Sequence, residues 1–395
     1  MNSIDRHSIA EIKEKVKKSF WEEARKQVKR YVKKLVEEVL EGCREEAAGC
    51  LWHERSEQRR DYCNGYYERV IGSVYGEVGI RVPRLRKSTY VHELFDRYER
   101  RSDELGSAIE AAYLRGHSTR ALSAYMDEVF GVRLSAGGIS RALRGLDEAL
   151  KEFHNSALED LWDVVYLDGM HVTVEGRGQE VLLAWAEKGT GEGKCLGFRL
   201  VETETFDAWW RFLNGLWQRG LKGGGTRLFV HDGAGGLKKA LEEVYPEQRK
   251  QLCIVHKLRD LREALRTSPR RDRIVKQAKG IYQAQSEGEA RCRLKELTRR
   301  WRRWEPEALE LFSKDFEQTL SFYEMDKSFW RRVRTTNPIE RLIREIRQRI
   351  RPMGAFVNAE SCKRLIFGVI RDIERRGYGL KKTFPSPQNQ ITQFY

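Results

Sequence analysis

The stretch TRLFVHDGAGGLKKALEEVYPEQRKQLCIVHKL, residues 226–258, decides the fold of this chain. Its apolar run at 228–230 predicts a buried strand, and the apolar residues that follow recur at helical spacing until a proline ends the pattern. A second strand is predicted at 252–255, ending on His256. Strands separated by a helix are typical of an α/β sheet. Asp232, directly after the first strand, therefore lies where such sheets bind their ligands.

The composition indicates a polyanionic partner. The 395 residues are enough for two to three domains, and 74 Lys or Arg against 59 Asp or Glu give a formal charge of +15. An anionic membrane is a poorer match, because the chain has no long apolar run. An ordinary protein with a basic surface is the alternative, unless the basic residues cluster. Seven widely spaced cysteines do not form a disulfide framework, and the N-terminal residues lack the apolar core of a signal peptide. We therefore expect a reducing, cytosolic location.

The front part of the chain predicts a mainly helical region with a small β-hairpin. Within the predicted helical region 1–55, apolar residues recur at helical spacing among charged residues from about Ile9 to Leu40. Residues 56–100 alternate as strands do, with turns predicted at Asn64–Gly65 and Tyr75–Gly76.

Residues 101–157 predict short helices joined by glycine-containing turns, with Ser118 and Ser135 as N-caps. This pattern is typical of a helix-turn-helix that would present the segment from Ser135, including Arg141, to the DNA major groove. A plain helical bundle has the same pattern.

From Val164 onward the pattern is α/β, and we place a domain boundary near Leu158. The predicted order is strand, strand, strand, helix, strand, helix, strand, in which the first three strands form an antiparallel meander within a mixed sheet. This is the RNase H-like order. The predicted core consists of residues 158–256 and 334–380, interrupted by a basic helical insertion at 257–333. An irregular tail follows at 381–395.

Basic residues cluster in the predicted insertion. Residues 257–304 contain 16 Lys or Arg and six Asp or Glu, so they carry +10 of the net charge of +15. RRWRRW interleaves cations with aromatic rings, which suits phosphate contact and base stacking. Trp301 and Trp304 are three residues apart, so a pair of core residues is the alternative. The predicted DNA contacts here are Arg299, Arg300, Arg302 and Arg303.

A second basic surface is predicted on the helix that follows RTTN. Asn337 is suited to the N-cap position and Pro338 to the first helical turn. Arginines recur on one face of this helix and would follow a phosphate backbone. They are Arg344, Arg347 and Arg351.

Three acidic residues form the candidate catalytic site. Asp168 in VYLDG and Asp232 both stand at predicted strand ends, and the RNase H-like order makes their strands neighbours. Carboxylates that converge without basic partners repel one another unless they bind divalent cations, and two Mg²⁺ (or Mn²⁺) ions about 4 Å apart activate a water or a 3′-hydroxyl. Glu340 is the candidate third ligand.

Each acidic residue also has a structural explanation. Asp168–Gly169 is a hairpin-turn dipeptide. Asp232 could begin a helix, and Glu340 stands three residues after Asn337, where a capping box places its glutamate. Cys253 and His256 are potential zinc ligands without a second pair, so we expect no structural zinc.

These motifs together resemble the Mutator-type transposases of bacterial insertion sequences, a branch of the DDE, RNase H-like transposases. The resemblance rests on RRDYCNGYYERVIGSVYGEVGIRVPRLR, AAYLRGHSTRALSAYMDEVFGVRLSAGGIS, YLDG, the opening stretch and TTNPIERLIREIRQRIRPMGAF. It implies that Asp168, Asp232 and Glu340 are the catalytic, metal-binding triad. Cys253 and His256 match the family's Cys-x-x-His signature, a positioning element near the site. Tyr62–Cys63 stands where the family tends to have an arginine before Asn-Gly.

The resemblance also implies the reaction and the partners. A homodimer would bind the terminal inverted repeats of double-stranded DNA, cleave a strand with two Mg²⁺ or Mn²⁺ ions per site, and join the freed 3′-hydroxyl to target DNA. It would act at the nucleoid in the bacterial cytoplasm. A non-catalytic DNA-binding regulator and an RNase H-like nuclease that does not join ends are the alternatives.

Overall fold

The structure, a computed structural model, describes residues 6–51, 53–87 and 101–377, with side chains from residue 13. The chain divides into two compact units, Met1–Gly145 and Leu146–Tyr395. The finer division into seven segments stays a prediction. Its C-terminal tail at 381–395 lies outside the described residues.

The first unit begins with a long helix and a hairpin. Helix α1 (Arg6–Ala48) packs on strand β2 (Gly76–Leu85), which pairs antiparallel with β1 (Cys63–Ser73). The predicted turn at Asn64–Gly65 is wrong. Gly65 has φ +73° and the pairing register shifts there, so the dipeptide forms a bulge within β1. The hairpin core contains Leu40, Ile71, Val78, Ile80 and Val82.

Three short helices follow in the same unit. They are α2 (Asp103–Tyr113), α3 (Thr119–Tyr125), which continues as a π-helical turn to Phe130, and α4 (Ala136–Ala142). The predicted N-caps are confirmed, because Ser118 Oγ accepts from the Ala121 N–H at 3.2 Å and Ser135 Oγ accepts from the Gly138 N–H at 3.1 Å. The predicted stop after α3 is also present, at Gly131 with φ +62°.

The second unit contains a mixed five-stranded sheet with the order β5-β4-β3-β6-β7. Helix α5 (Arg144–Asn155) precedes this sheet in the sequence. The predicted element order and antiparallel meander are confirmed: β3, β4 and β5 pair antiparallel, and β6 pairs parallel with β3 and β7. The strands are β3 (Val164–Val174), β4 (Arg177–Glu187), β5 (Gly193–Val201), β6 (Leu228–His231) and β7 (Lys250–Leu252).

Helices cover both faces of this sheet. Helices α6 (Phe206–Gln218) and α7 (Gly235–Val244) pack on the face to which Val165 and Leu167 of β3 point. Because side chains alternate along a strand, Asp168 points to the other face. Helices α13 (Asn337–Ile350) and α14 (Ala359–Arg375) pack there against β3, β4 and β5.

A helical segment lies between β7 and α13. It contains α8 (Ile254–Ala264), α9 (Arg271–Ile281), α10 (Glu287–Trp301), α11 (Pro306–Ser313) and α12 (Trp330–Val333). It covers the edge of β7, because the buried Gln251 side chain donates to the Thr319 carbonyl at 2.9 Å and accepts from the Phe322 N–H at 2.9 Å. Its two ends meet where the Ile254 N–H donates to the Arg334 carbonyl at 2.9 Å.

Two findings bear on the expectations drawn from composition. All seven cysteines lie in the described part of the chain, and each is a free thiol. None of the helices that the structure describes is long and apolar enough to cross a membrane.

Candidate active site

Asp168 lies in the middle of β3, so the predicted strand end is wrong. VVYLDGMHVTV is one continuous strand in which Asp168 pairs with Leu183 and Gly169 with Leu182, and this pairing excludes the hairpin-turn alternative. The neighbouring strand β6, in contrast, ends close to Asp168, at His231. Tyr166 lies opposite Val230, so the parallel register brings Asp168 level with Asp232, just beyond the last residue of β6.

Asp232 occupies the loop between β6 and α7. Its Oδ1 accepts from the Ala234 N–H at 2.9 Å, but the helix begins at Gly235 with Ala234 as the N-cap, so Asp232 is not the capping residue. His231 stabilises the loop, since its Nδ1 accepts from the Gly233 N–H at 3.1 Å. Burial lowers the pKa of His231 to about 4, which keeps the imidazole neutral.

Glu340 projects from the first turns of α13. The predicted N-cap at Asn337 is wrong, because Asn337 already belongs to the helix and Thr336 occupies the N-cap position. The predicted capping box is not formed, since the side chain of the N-cap residue Thr336 makes no capping hydrogen bond. Instead Glu340 Oε1 accepts a hydrogen bond from Thr336 Oγ1 at 2.9 Å.

The predicted strand ending on His256 is also wrong. β7 ends at Leu252, and only the Cys253 N–H extends the ladder, donating to the His231 carbonyl at 2.8 Å. The chain turns into α8 at this point, so His256 lies in the first helical turn. Its Nε2 is 3.9 Å from Glu340 Oε1. The Cys253 sulfur is 3.4 Å from both the backbone nitrogen and Oγ1 of Thr336.

The acidic residues form one electrostatic cluster. Burial and then the charge of Asp232 raise the pKa of Asp168 to about 7, with a smaller contribution from Glu340 and an opposing one from His256. Interaction with the Cys253 side chain, together with the charges of both aspartates, raises the pKa of His256 to about 9. The His256 imidazole therefore lies beside the carboxylates, where the sequence predicted no basic partner.

Cys253 is the other half of this arrangement. Burial alone would raise the pKa of its thiol, but the interactions with His256 and Thr336 bring that pKa below its ordinary value. The structure therefore places Cys253 and His256 as a polar pair beside Glu340. A positioning role for the pair stays a prediction.

Two residues at the site are not among the sequence candidates. Thr336 precedes α13, and a hydroxyl residue before a helix-opening proline is its one sequence signal. Glu204 lies in the loop between β5 and α6, where no pattern singles it out. Its Oε1 accepts from Trp209 Nε1 at 2.8 Å, and its Oε2 would be 3.0 Å from a Cβ added to Gly169. The glycine therefore leaves space for the Glu204 side chain on the α6 face of β3, opposite the face to which Asp168 points, and the charge of Asp232 contributes, after burial, to a raised pKa of Glu204.

The ligand atoms of this cluster are carboxylate oxygens, which Mg²⁺ and Mn²⁺ prefer. Within the described ranges, no three His, Cys, Asp or Glu side chains are already arranged around one point as metal ligands. Glu340 is instead held by Thr336 and lies beside His256.

The predicted DNA-binding arginines are exposed and, within the part of the chain that is described, make no ion pair. Trp301 is buried and donates from Nε1 to Gln277 Oε1 at 2.7 Å, whereas Trp304 is 50% exposed. The core alternative therefore holds for Trp301 alone. The exposed arginines are Arg141 on α4, Arg299 and Arg300 on α10, Arg302 and Arg303 after it, Arg344 and Arg347 on α13, and Arg351 at its end.

Comparison with known families identifies the chain. The family model described as "Transposase, Mutator family" matches residues 4–376. The chain belongs to the Mutator family of transposases.

Individual transposases of insertion sequence elements align along most of this chain. It is 34% identical over 341 residues to the transposase for insertion sequence element ISRM5 of Rhizobium meliloti, covering 85% of this chain and 84% of the relative. The transposase for IS406 of Burkholderia multivorans is 30% identical, with 86% and 88% covered. The transposase for IS256 in transposon Tn4001 of Staphylococcus aureus is 28% identical, with 85% and 87% covered.

Proposed function

We propose that this chain is a metal-dependent DDE transposase that cleaves DNA at the ends of an insertion sequence and joins the freed 3′-hydroxyl to target DNA. One observation carries the proposal: Asp168, Asp232 and Glu340, which are far apart in sequence, form a single electrostatic cluster on a partly buried face of the sheet. Such a concentration of carboxylates is costly without cations, and it is the arrangement that phosphoryl transfer uses.

The proposal includes an RNase H-like core with a helical insertion. The strand order β5-β4-β3-β6-β7, with β3, β4 and β5 antiparallel, supports this assignment. The helices α8 to α12 between β7 and α13 would be the insertion. In this arrangement the insertion accounts for the long sequence separation between Asp232 and Glu340.

The acidic cluster fits Mg²⁺ or Mn²⁺ in its chemistry. Burial and then the charge of Asp232 raise the pKa of Asp168, and His256 opposes this shift only in part. Asp168 and Asp232 would hold two ions, and Glu340 would complete the coordination of one of them. When bound, the ions would activate the attacking water or 3′-hydroxyl and stabilise the leaving oxygen.

The chain's own residues would set the geometry and the charge. Thr336 would fix Glu340 through its hydrogen bond, and Cys253 would in turn fix Thr336. His256 would remain protonated at neutral pH and would place a positive charge beside the phosphodiester. Glu204, held by Trp209, would add a carboxylate whose charge acts on Asp232.

DNA would be held by exposed cations outside the acidic cluster. We assign phosphate contacts to the arginines of α10 and α13, and base contacts to the three-helix region that carries Arg141. Terminal inverted repeats are paired sites, so we propose that a homodimer binds them. The printed names of the relatives, which are transposases for insertion sequence elements, support element ends as the substrate.

The test is strand cleavage and end joining on element-end DNA with Mg²⁺ or Mn²⁺. Asp168→Asn, Asp232→Asn and Glu340→Gln should each abolish cleavage while DNA binding persists. Glu345→Gln is the matched control, because Glu345 is a carboxylate on the same helix whose ion-pair partner among the described residues is Arg349, at 2.5 Å. Normal cleavage by any of the three variants would remove that residue from the triad.

The same assay separates the alternatives. A wild-type chain that binds element ends but never nicks them would be a regulator. One that produces nicks and no joined products would be a nuclease. Mapping both strands of the products shows which bond is cut and whether it is rejoined.

A further inference from the structure

A cavity of about 420 Å³ opens along β5, the outermost strand of the sheet. Its walls come from β5, from α6, and from the adjoining parts of α5 and α14. Among the residues that the structure describes, four cations line it and no acidic residue does. They are Arg199, Arg211, Arg219 and Lys363. The cavity is therefore strongly positive and lies outside the acidic cluster on β3 and α13.

Three of these cations are not neutralised by a carboxylate among the described residues. Arg199 and Lys363 form no ion pair there, and Arg211 alone is paired, with Asp207 at 3.1 Å. Arg219 donates to three backbone carbonyls at the cavity wall: Ser156 at 2.9 Å, Leu196 at 3.0 Å and Phe153 at 2.8 Å. These bonds fix its guanidinium in place and leave its charge uncompensated.

The remaining wall is apolar and aromatic. His154 lies against Phe198 with ring centroids 5.0 Å apart. Gly197 forms part of β5 here, and a Cβ added to it would be 3.0 Å from Leu216 and 3.5 Å from Arg219 Nη1, so the glycine keeps this wall flat.

The cations of the cavity also act on His154, which lines the same wall. Burial and then the charges of Arg219, Lys363 and Arg199 lower the pKa of His154 to about 4. Arg219, Lys363 and Arg199 thus all lie close enough to His154 to act on one site in the cavity wall. An anion placed there would interact with all of them at once.

We propose that this cavity binds a phosphodiester group of the DNA on which the chain acts. The inference rests on the proposed function, because that function supplies the DNA. The planar guanidinium of Arg199 can donate hydrogen bonds to two phosphate oxygens, and Lys363 adds a positive charge on a flexible side chain. Arg219 contributes a fixed positive field. The contact would anchor DNA at the β5 edge of the sheet, apart from the arginines of α10 and α13.

The test uses the double variant Arg199→Ala/Lys363→Ala of the full chain. Its affinity for element-end duplex is measured by fluorescence anisotropy over a range of salt concentrations. We expect roughly tenfold weaker binding near 0.1 M salt, and a slope of log K against log salt that is shallower by about 2. The control is Arg177→Ala/Lys239→Ala, which removes the same two side-chain types from exposed positions outside the cavity.

The outcomes are distinct. If the cavity variant matches the control in affinity and slope, the proposal is overturned. Inorganic phosphate or a deoxynucleoside triphosphate that raises the Tm of the wild type but not of the variant, with DNA affinity unchanged, would assign the site to a free phosphate and also overturn it. Arg199→Glu alone repeats the test should the double variant fold poorly, and it should weaken binding further than Arg199→Ala.

Failure of this inference differs from failure of the proposed function. Wild-type chain that cleaves element ends, while the cavity variant binds like its control, refutes the phosphate site alone. Wild-type chain that binds DNA through the cavity but never cleaves it refutes the catalytic assignment alone.

Discussion

Thr336 Oγ1 donates a hydrogen bond to Glu340 Oε1 at 2.9 Å, across the first turn of α13. The same hydroxyl is 3.4 Å from the sulfur of Cys253, and the Thr336 N–H donates to that sulfur at 3.4 Å. A single buried threonine thus connects the residue after β7 with the candidate third carboxylate. The direction in which Glu340 points is set from outside the acidic cluster.

Removing this hydroxyl should impair cleavage without unfolding the chain. Thr336→Val keeps the side-chain shape but loses the donor to Glu340, and we expect cleavage to fall by about 10- to 100-fold with a higher Mg²⁺ requirement. Thr336→Ser should restore most of the activity. Thr335→Val is the control, since the Thr335 hydroxyl accepts from the Asn337 N–H and does not touch Glu340. Equal loss in both valine variants would make the role of Thr336 merely structural.

Asp168→Asn should stabilise the chain at pH 8 in the absence of divalent cations. The pKa of Asp168 in the folded chain, about 7, lies above its ordinary value of 3.8, so folding favours the protonated carboxyl group. This contribution to the free energy of unfolding is fully present below about pH 4 and is lost as the pH rises through 7. The variant does not ionise, so its advantage should grow across this window, to on the order of 1–3 kcal/mol.

Thermal melts between pH 4 and 8 in EDTA measure this difference. Glu202→Gln, which alters an exposed carboxylate, should show no such trend. Adding Mg²⁺ should stabilise the wild type more than Asp168→Asn, because only the wild type keeps the full set of candidate ligands. A pH-independent difference between wild type and Asp168→Asn would contradict a pKa of Asp168 raised by burial and by the charge of Asp232.

Arg344→Ala and Arg347→Ala should each weaken DNA binding and flatten its salt dependence by about one unit of slope. Both side chains are exposed on α13. Arg349→Ala is the matched control on the same helix, because Arg349 is paired with Glu345 at 2.5 Å and should contribute less. An unchanged salt slope would make Arg344 and Arg347 structural.

The ion pair between α5 and α14 should contribute to stability. Arg364 is 8% exposed and binds Asp147 through two bonds of 2.6 and 2.7 Å. Asp147→Ala should destabilise the second unit by about 2 kcal/mol, because the guanidinium is left buried without this carboxylate.

The measurement is hydrogen exchange along α14 together with Tm. Asp372→Ala removes the partner of Arg376 from an exposed pair and should cost less than about 0.5 kcal/mol. The double variant Asp147→Ala/Arg364→Met should recover much of the loss. Destabilisation equal to that of Asp372→Ala would show that the buried pair contributes little.

The order of strands and helices was predictable because period-two and helical patterns depend only on neighbouring residues. The pairing of β3 with β6 followed from that order, and it brings Asp168 level with Asp232. The exact ends of β3 and β7 were not predictable. Asp168–Gly169 has the sequence of a turn, but pairing with Leu182 and Leu183 on β4 keeps it extended.

The wrong predictions of a strand ending on His256 and of an N-cap at Asn337 also concern exact element ends. Val255 and Ile254 favour strand locally, yet the chain turns into a helix there because the Ile254 N–H bonds to Arg334, 80 residues later. Thr336 and Glu204 join the site through contacts that no spacing in the sequence encodes. Such residues become visible only when distant segments are placed side by side.

The hydrogen bond between the Ile254 N–H and the Arg334 carbonyl joins the start of the helical segment to its end. The two ends of the helical segment meet at this bond. The segment is therefore not needed to connect two separated parts of the sheet. An inserted segment whose two ends are adjacent can become longer or shorter, or be replaced, with little effect on the stability of the sheet. Relatives would then be free to vary this segment in size while the positions of Asp168, Asp232 and Glu340 stay fixed.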